Sequence, residues 1–218
     1  MLGKPAWWDE GCAELAARDA ALAEIMRRHD GHLVGRGEAL TTLLRSIVGQ
    51  QISVKAADAV WGKFIRLVDG DVDAARVLKF GDGDLRGCGL SGQKVKYLRG
   101  VCAGFVDGTV HPGLWQGMAD EAIIAELVKL PGIGRWTAEM FLIFHLLRPD
   151  VLPLGDLGLL KGYEQVYGSV RGTAKLEGMA RWKKVAVAVD KKAAVWQPYR
   201  SIATWYLWRS LDPVVVEY

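Results

Sequence analysis

Apolar residues recur at spacings of three and four along most of the chain. The stretches "DEGCAELAARDAALAEIMRRH" (9–29), "GEALTTLLRSIVGQQISVKAADAVWGKFIRLV" (37–68), "DEAIIAELVKL" (120–130) and "GRWTAEMFLIFHLL" (134–147) each keep one greasy face. That is the period of an amphipathic α-helix. Alternating strand patterns are confined to "HLVG" (32–35) and "DPVVVEY" (212–218), so the fold class expected is all-α. Gly- and Pro-bearing segments, "GDGD", "GCGLSG", "HPG", "LPGIG" and "RPDVLPLGD", read as short connections between helices. With no fixed-period repeat and no low-complexity tract, the expected architecture is two helical lobes with an interlobe cleft. The middle lobe is placed at about 40–150, and 1–39 plus 151–218 form the second.

Composition narrows the class without choosing a function. The 218 residues are 50% hydrophobic, which suits a globular body rather than a disordered one. A balance of 28 basic against 25 acidic residues leaves +3, which permits a local patch for nucleic acid but does not demand one. Cys12, Cys88 and Cys102 show no paired spacing, so reduced thiols in a cytosolic setting are expected. The longest greasy run, "MFLIFHLL", is short for a bilayer and contains His145, read as a core or boundary histidine. The N-terminus lacks an apolar signal core, so a soluble, cytoplasmic protein with no membrane association is expected. No metal site is expected either, since His, Cys and carboxylates show no ligand spacing.

Candidate chemistry begins at "LPGIGRWTA" (130–138). Pro131 fixes the turn entry, and Gly132 and Gly134 are expected to reach positive φ and leave amides bare at a helix N-terminus, which suits a phosphate. An ordinary helix-helix turn with glycine capping is the alternative. Twenty residues past Trp136, "PLGDLGLLKG" (153–162) puts Asp156 at the apparent N-cap of another helix. Such an aspartate can simply satisfy orphan backbone donors.

Taken together, these two blocks resemble the helix-hairpin-helix DNA glycosylase superfamily. "LLRSIVGQQISVKAADAVW" (43–61), "GLSGQKVKYLRGV" (89–101) and "WQPYRSIATWYLW" (196–208) are similar to its 3-methyladenine DNA glycosylase II branch. The resemblance runs from about residue 38 to 210, and only about 37 residues precede it, short for an added N-terminal β-domain.

It implies that Asp156 is the catalytic aspartate and that the hairpin amides at Gly132 and Gly134 hold a DNA phosphate. No cofactor is implied beyond a structural monovalent cation that members often hold at the hairpin. Trp136 falls where bifunctional members carry a nucleophilic lysine, which implies a monofunctional hydrolase acting on alkylated purines. Trp136 and Trp208 are then the substrate-binding aromatics, since an indole face attracts a cationic base. Trp7, Trp8, Trp61 and Trp115 are read as packing residues. Gln51 matches the residue that fills the gap left by a flipped base, although glutamine departs from the apolar wedge of the related enzyme, and Gln50 is read as a backbone brace. Arg135, Lys94 and Lys96 are phosphate contacts or a solvated face. The partner implied is double-stranded DNA containing damaged bases, bound by a monomer. A glycosylase for uncharged deaminated or mismatched bases and a non-catalytic DNA-binding module stand as the alternatives.

Overall fold

The computed structural model describes residues 3–211, so the run at 212–218 lies outside the described residues. Twelve α-helices follow in chain order: α1 (Trp8–Arg18), α2 (Ala20–Arg28), α3 (Ala39–Gly49), α4 (Val54–Leu67), α5 (Ala74–Lys79), α6 (Asp82–Gly87), α7 (Gly92–Val106), α8 (Asp120–Leu127), α9 (Arg135–Phe144), α10 (Leu157–Tyr167), α11 (Gly178–Ala193) and α12 (Arg200–Leu211). Short 3-10 turns occupy Pro112–Gly117 and Ala194–Trp196. The all-α expectation holds. Residues 32–35 form no strand, only an isolated bridge at Gly35.

Two of the long periodic stretches are each broken in two, and capping explains both breaks. Asp19 leaves helical geometry at φ −139° and accepts from the amides of Ala21 and Leu22, so α2 starts afresh. After α3, Gln51 turns into the left-handed region at φ 59°, and Ser53 caps α4 through the amide of Ala56. "GDGD", expected as a connection, instead opens α6, because the Asp84 carboxylate accepts from the Gly81 amide.

The chain divides into two compact units, one made of the residues through Gly35 and those from Leu142, the other of Arg36–Phe141. In the first, α10 packs on α12 and α11, and α1 and α2 pack on each other and on α12. Trp8, Leu15, Leu22, Leu159, Trp196 and Leu207 fill its interior, with Trp8 edge-on to Trp205 at 5.3 Å. In the second, α7 is the central helix, contacted by α3, α5 and α6 around Leu43, Ile47, Val77, Leu85 and Leu98. Trp115 is buried there against Phe141, 5.3 Å between centroids, and Trp61 packs on Phe64. Packing roles for Trp8, Trp61 and Trp115 follow directly. Trp7 adds a tether, its indole donating to the Leu147 carbonyl over 3.1 Å.

Beyond capping α2, Asp19 is the polar knot of the first unit. Only 3% exposed, its Oδ2 accepts from Tyr167 Oη (2.8 Å), Trp196 Nε1 (3.0 Å) and Lys192 Nζ (2.8 Å). Burial works to raise this carboxyl, but the bonds from Lys192, Trp196 and Tyr167 and the Leu22 amide outweigh it and hold it below the ordinary aspartate value of 3.8. Asp19→Ala should cost about 1–3 kcal/mol or more, because the fully buried Trp196 N–H loses its acceptor. A depressed carboxyl stabilises above its unfolded value and loses that contribution as pH falls through the folded one. The stability gap between wild type and Asp19→Asn, read from urea unfolding, should therefore be full near neutrality and shrink as pH drops below 3.8.

Candidate active site and nucleic-acid interface

The hairpin is built by α8, the turn 128–134 and α9. Gly132 has φ +81°, the region a side chain rarely enters, and a Cβ there would run into the Tyr97 ring of α7. Gly134 differs from the sequence expectation. Its φ is not positive, and a Cβ on it would meet open space. Its carbonyl accepts from the Ala138 amide, so it stands at the entry to α9. The amides of Gly132 and Gly134 donate to no acceptor among the described residues.

Helix α7 sets the shape of this turn. Side chains on Gly100 and Gly104 would collide with Pro131 and Leu130 respectively, so two glycines of α7 let the hairpin lie directly on its backbone. From α3, Gln50 Nε2 donates to the Gly132 carbonyl over 3.0 Å, which is the backbone-bracing role read for it. Gln51 is exposed beside it, in the left-handed conformation that is costly for a residue other than glycine.

The basic candidates separate. Arg135 opens α9 with its guanidinium on Glu121 (2.5 and 3.0 Å) and on the buried Glu139 (3.0 Å). The hydrogen-bonded Glu121 carboxylate raises the Arg135 pKa further, and Arg135 in turn lowers that of Glu121. Any phosphate contact by Arg135 competes with these two carboxylates. Lys94 Nζ donates to the Val48 carbonyl at 2.7 Å, and burial pulls its pKa down. Lys96 is exposed on the same helix. Trp136, 39% exposed, lies in the first turn of α9.

In the other unit, Asp156 is the N-cap of α10, and its Oδ1 accepts from the Leu159 amide at 2.7 Å. Trp208 Nε1 donates to the same oxygen at 2.7 Å. The Trp208 ring lies nearly parallel to Phe144, 12° between planes and 5.8 Å between centroids. Asp156 is thus unlike an ordinary cap such as Asp73, which is exposed while accepting from the Arg76 amide. It is 8% exposed and held from a second helix. Of the residues proposed from sequence, the structure brings Asp156 and Trp208 together, while Trp136, Gly132, Gly134, Arg135 and Gln51 belong to the other unit.

Several supporting residues were not singled out from sequence. The segment leading to Asp156 is pinned by the start of α12. Arg200 clasps the Asp150 carboxylate (2.7 and 2.9 Å) and the Asp150 carbonyl (3.0 Å), and Ser201 Oγ donates to the Arg148 carbonyl (2.6 Å) while accepting from the Val151 amide (3.0 Å). Gly158 and Gly162 let α10 approach closely, the former beside Asp156 and Trp208, the latter against the Leu207 carbonyl. The clue lay in "GDLGLLKG", whose glycines interrupt a helical run without a turn to explain them.

Cys12, Cys88 and Cys102 are free, and burial pushes the Cys102 thiol up to about 12, which makes it inert. Among the described residues no cluster of His, Cys, Asp or Glu is arranged to hold a metal ion, and no helix is long and apolar enough to cross a membrane.

Comparison with known proteins converges on one group. DNA-3-methyladenine glycosylase 1 of Schizosaccharomyces pombe is 30% identical over 176 residues, spanning 79% of this chain and 72% of that protein. A crystal structure of DNA-3-methyladenine glycosidase from Bacillus halodurans superposes with a TM-score of 0.81 at 31% identity, covering 93% of this chain and 89% of that one. The Schizosaccharomyces pombe 3-methyladenine DNA glycosylase in complex with abasic DNA gives 0.75 at 25% identity, covering 94% and 98%. Residues 44–186 match the HhH-GPD superfamily base excision DNA repair protein family, which takes in both the hairpin and Asp156, and the chain belongs to that family.

Proposed function

We propose that this protein is a monofunctional DNA glycosylase that hydrolyses the N-glycosidic bond of alkylated purines, with Asp156 as the catalytic residue. The observation that carries the reading is the placement of Asp156, a buried N-cap whose carboxylate is fixed by an indole from another helix. The relatives named above, called 3-methyladenine glycosylases or glycosidases, support the substrate class. One of them is crystallised with abasic DNA, which supports DNA as the partner, read here as a damaged duplex. The protein acts on it as a monomer.

The chemistry follows from charge. As the bond between C1′ and the base nitrogen breaks, its electron pair leaves with the base and positive charge grows on the sugar. An ionised Asp156 stabilises that charge, water oxygen bonds to C1′, and the water proton passes to the carboxylate or to solvent. A cationic alkylpurine departs as a neutral base and needs no dedicated acid. Trp136 offers an indole face on which an extruded, positively charged base can stack.

DNA is gripped through the hairpin, where the amides of Gly132 and Gly134 face a phosphate at the N-terminus of α9. The donor type there also fits a monovalent cation. The Leu130 and Gly132 carbonyls each accept one N–H and keep a second lone pair. When bound, such an ion adds positive charge near the phosphate and takes no part in bond breaking.

Asp156→Asn keeps a cap acceptor but loses the charge. Base release from methylated duplex should fall about 100- to 1,000-fold with duplex affinity unchanged, and wild-type turnover would contradict the assignment. Gly134→Ala fits the open space at that position and should melt like wild type, while its methyl group stands in the way of the phosphate and weakens binding to damaged and undamaged duplexes alike by about tenfold. Gly132→Ala should also unfold more easily, because its Cβ meets Tyr97. Trp136 stands where a Schiff-base lysine would be needed, so borohydride added during turnover should trap no protein–DNA adduct. An adduct lost in Lys161→Ala, the exposed amine on α10, would overturn monofunctionality.

A further inference from the structure

Two contacts of Trp208 differ in kind, and only one of the two needs an indole. Its ring stacks on Phe144, which any flat aromatic could do. Its Nε1 is spent on Asp156 Oδ1 at 2.7 Å, the same oxygen that accepts from the Leu159 amide at 2.7 Å. The two donors come from different helices, α12 and the first turn of α10. A cap bond alone restrains where the carboxylate sits but leaves the soft final torsion of an aspartate broad. A second donor from outside the helix fixes the carboxylate plane as well.

The surroundings are shaped around that bond. A Cβ on Gly158 would lie 2.9 Å from Asp156 Oδ1, 3.0 Å from Trp208 Cδ1 and 3.1 Å from Trp208 Nε1. Glycine therefore keeps a side chain out of the space that the indole and the carboxylate share. Farther along α12, Arg200 and Ser201 hold residues 148–151, so one helix positions both the approach to Asp156 and Asp156 itself.

We propose that Trp208 is a positioning residue that acts on base release through Asp156, by orienting its carboxylate, and not by gripping the base. The proposal rests on the catalytic role assigned to Asp156. It separates two properties that a substrate-stacking role would tie together. Loss of the indole donor slows the chemical step by the same factor for every base released, and leaves affinity for damaged DNA in place.

The test compares Trp208→Phe, which keeps a ring against Phe144 and loses the donor, with Gly158→Ala, which drives a methyl group into the same bond from the other side. Alanine is the better helix former, so the second variant remains informative if the first unfolds. Single-turnover release from methylated duplex at saturating protein should fall about 10- to 100-fold in both, the usual scale for a misplaced reacting group. Equilibrium binding of the same duplex should stay within about twofold. Wild-type release rates in both variants would overturn the proposal, as would a loss of lesion-duplex affinity in Trp208→Phe that matches its loss of rate. Asp156→Asn is run beside them. A slow Asp156→Asn with normal variants at 208 and 158 refutes only the positioning role, whereas wild-type release by Asp156→Asn removes the catalytic reading and this one with it.

Discussion

A carboxylate stays at one point in space only when both of its side-chain rotations are stopped, and for Asp156 the stops come from two helices. The Leu159 amide belongs to the helix that Asp156 caps, and the Trp208 indole belongs to α12. The bond-breaking chemistry proposed for this protein centres on that carboxylate. It in turn depends on α10 lying close against α12, which Gly162 allows by letting the Leu207 carbonyl approach where any side chain would collide. The buried Asp19 knot ties α2, α10 and α11 together in the same unit, so a charge far from the proposed chemistry helps hold the frame on which that chemistry rests.

The hairpin is fixed by a similar economy of parts. Tyr97, Gly100 and Gly104 lie along one side of α7 and receive Gly132, Pro131 and Leu130 in turn, and Gln50 closes the arrangement from α3. A turn clamped in this way presents its amides in one conformation before any ligand arrives, which lowers the ordering cost of binding. The same clamp explains why Gly132 and Gly134 are not equivalent. The first is required by backbone angle and by crowding, while the second faces open space at the entry to α9.

Much of this was legible in the sequence because it is local. Helical period, the cap at Asp156 and the hairpin turn are written in neighbouring residues, and they led to the all-α class and to the family. Breaks inside long amphipathic runs were harder to see. Asp19 and Gln51 continue a helical pattern by spacing, and only their capping and φ values show that the helix stops there. Contacts across long separations were hidden altogether. Nothing near Arg135 announces that Glu121 engages it, and nothing near Asp156 announces Arg200 or the indole N–H of Trp208. An aromatic matched to a family position suggests stacking, whereas its donor acquires meaning only once the acceptor is in place.

Which bases this chain frees from DNA decides whether it hydrolyses alkylated purines. The most direct measurement exposes the wild-type protein to duplexes carrying methylated purines, deaminated purines or mismatched bases and separates free base from DNA. Methylated purines should be released ahead of the other substrates, with the abasic strand left intact. Preferential release of deaminated or mismatched bases, or no release from any of the duplexes, would contradict it.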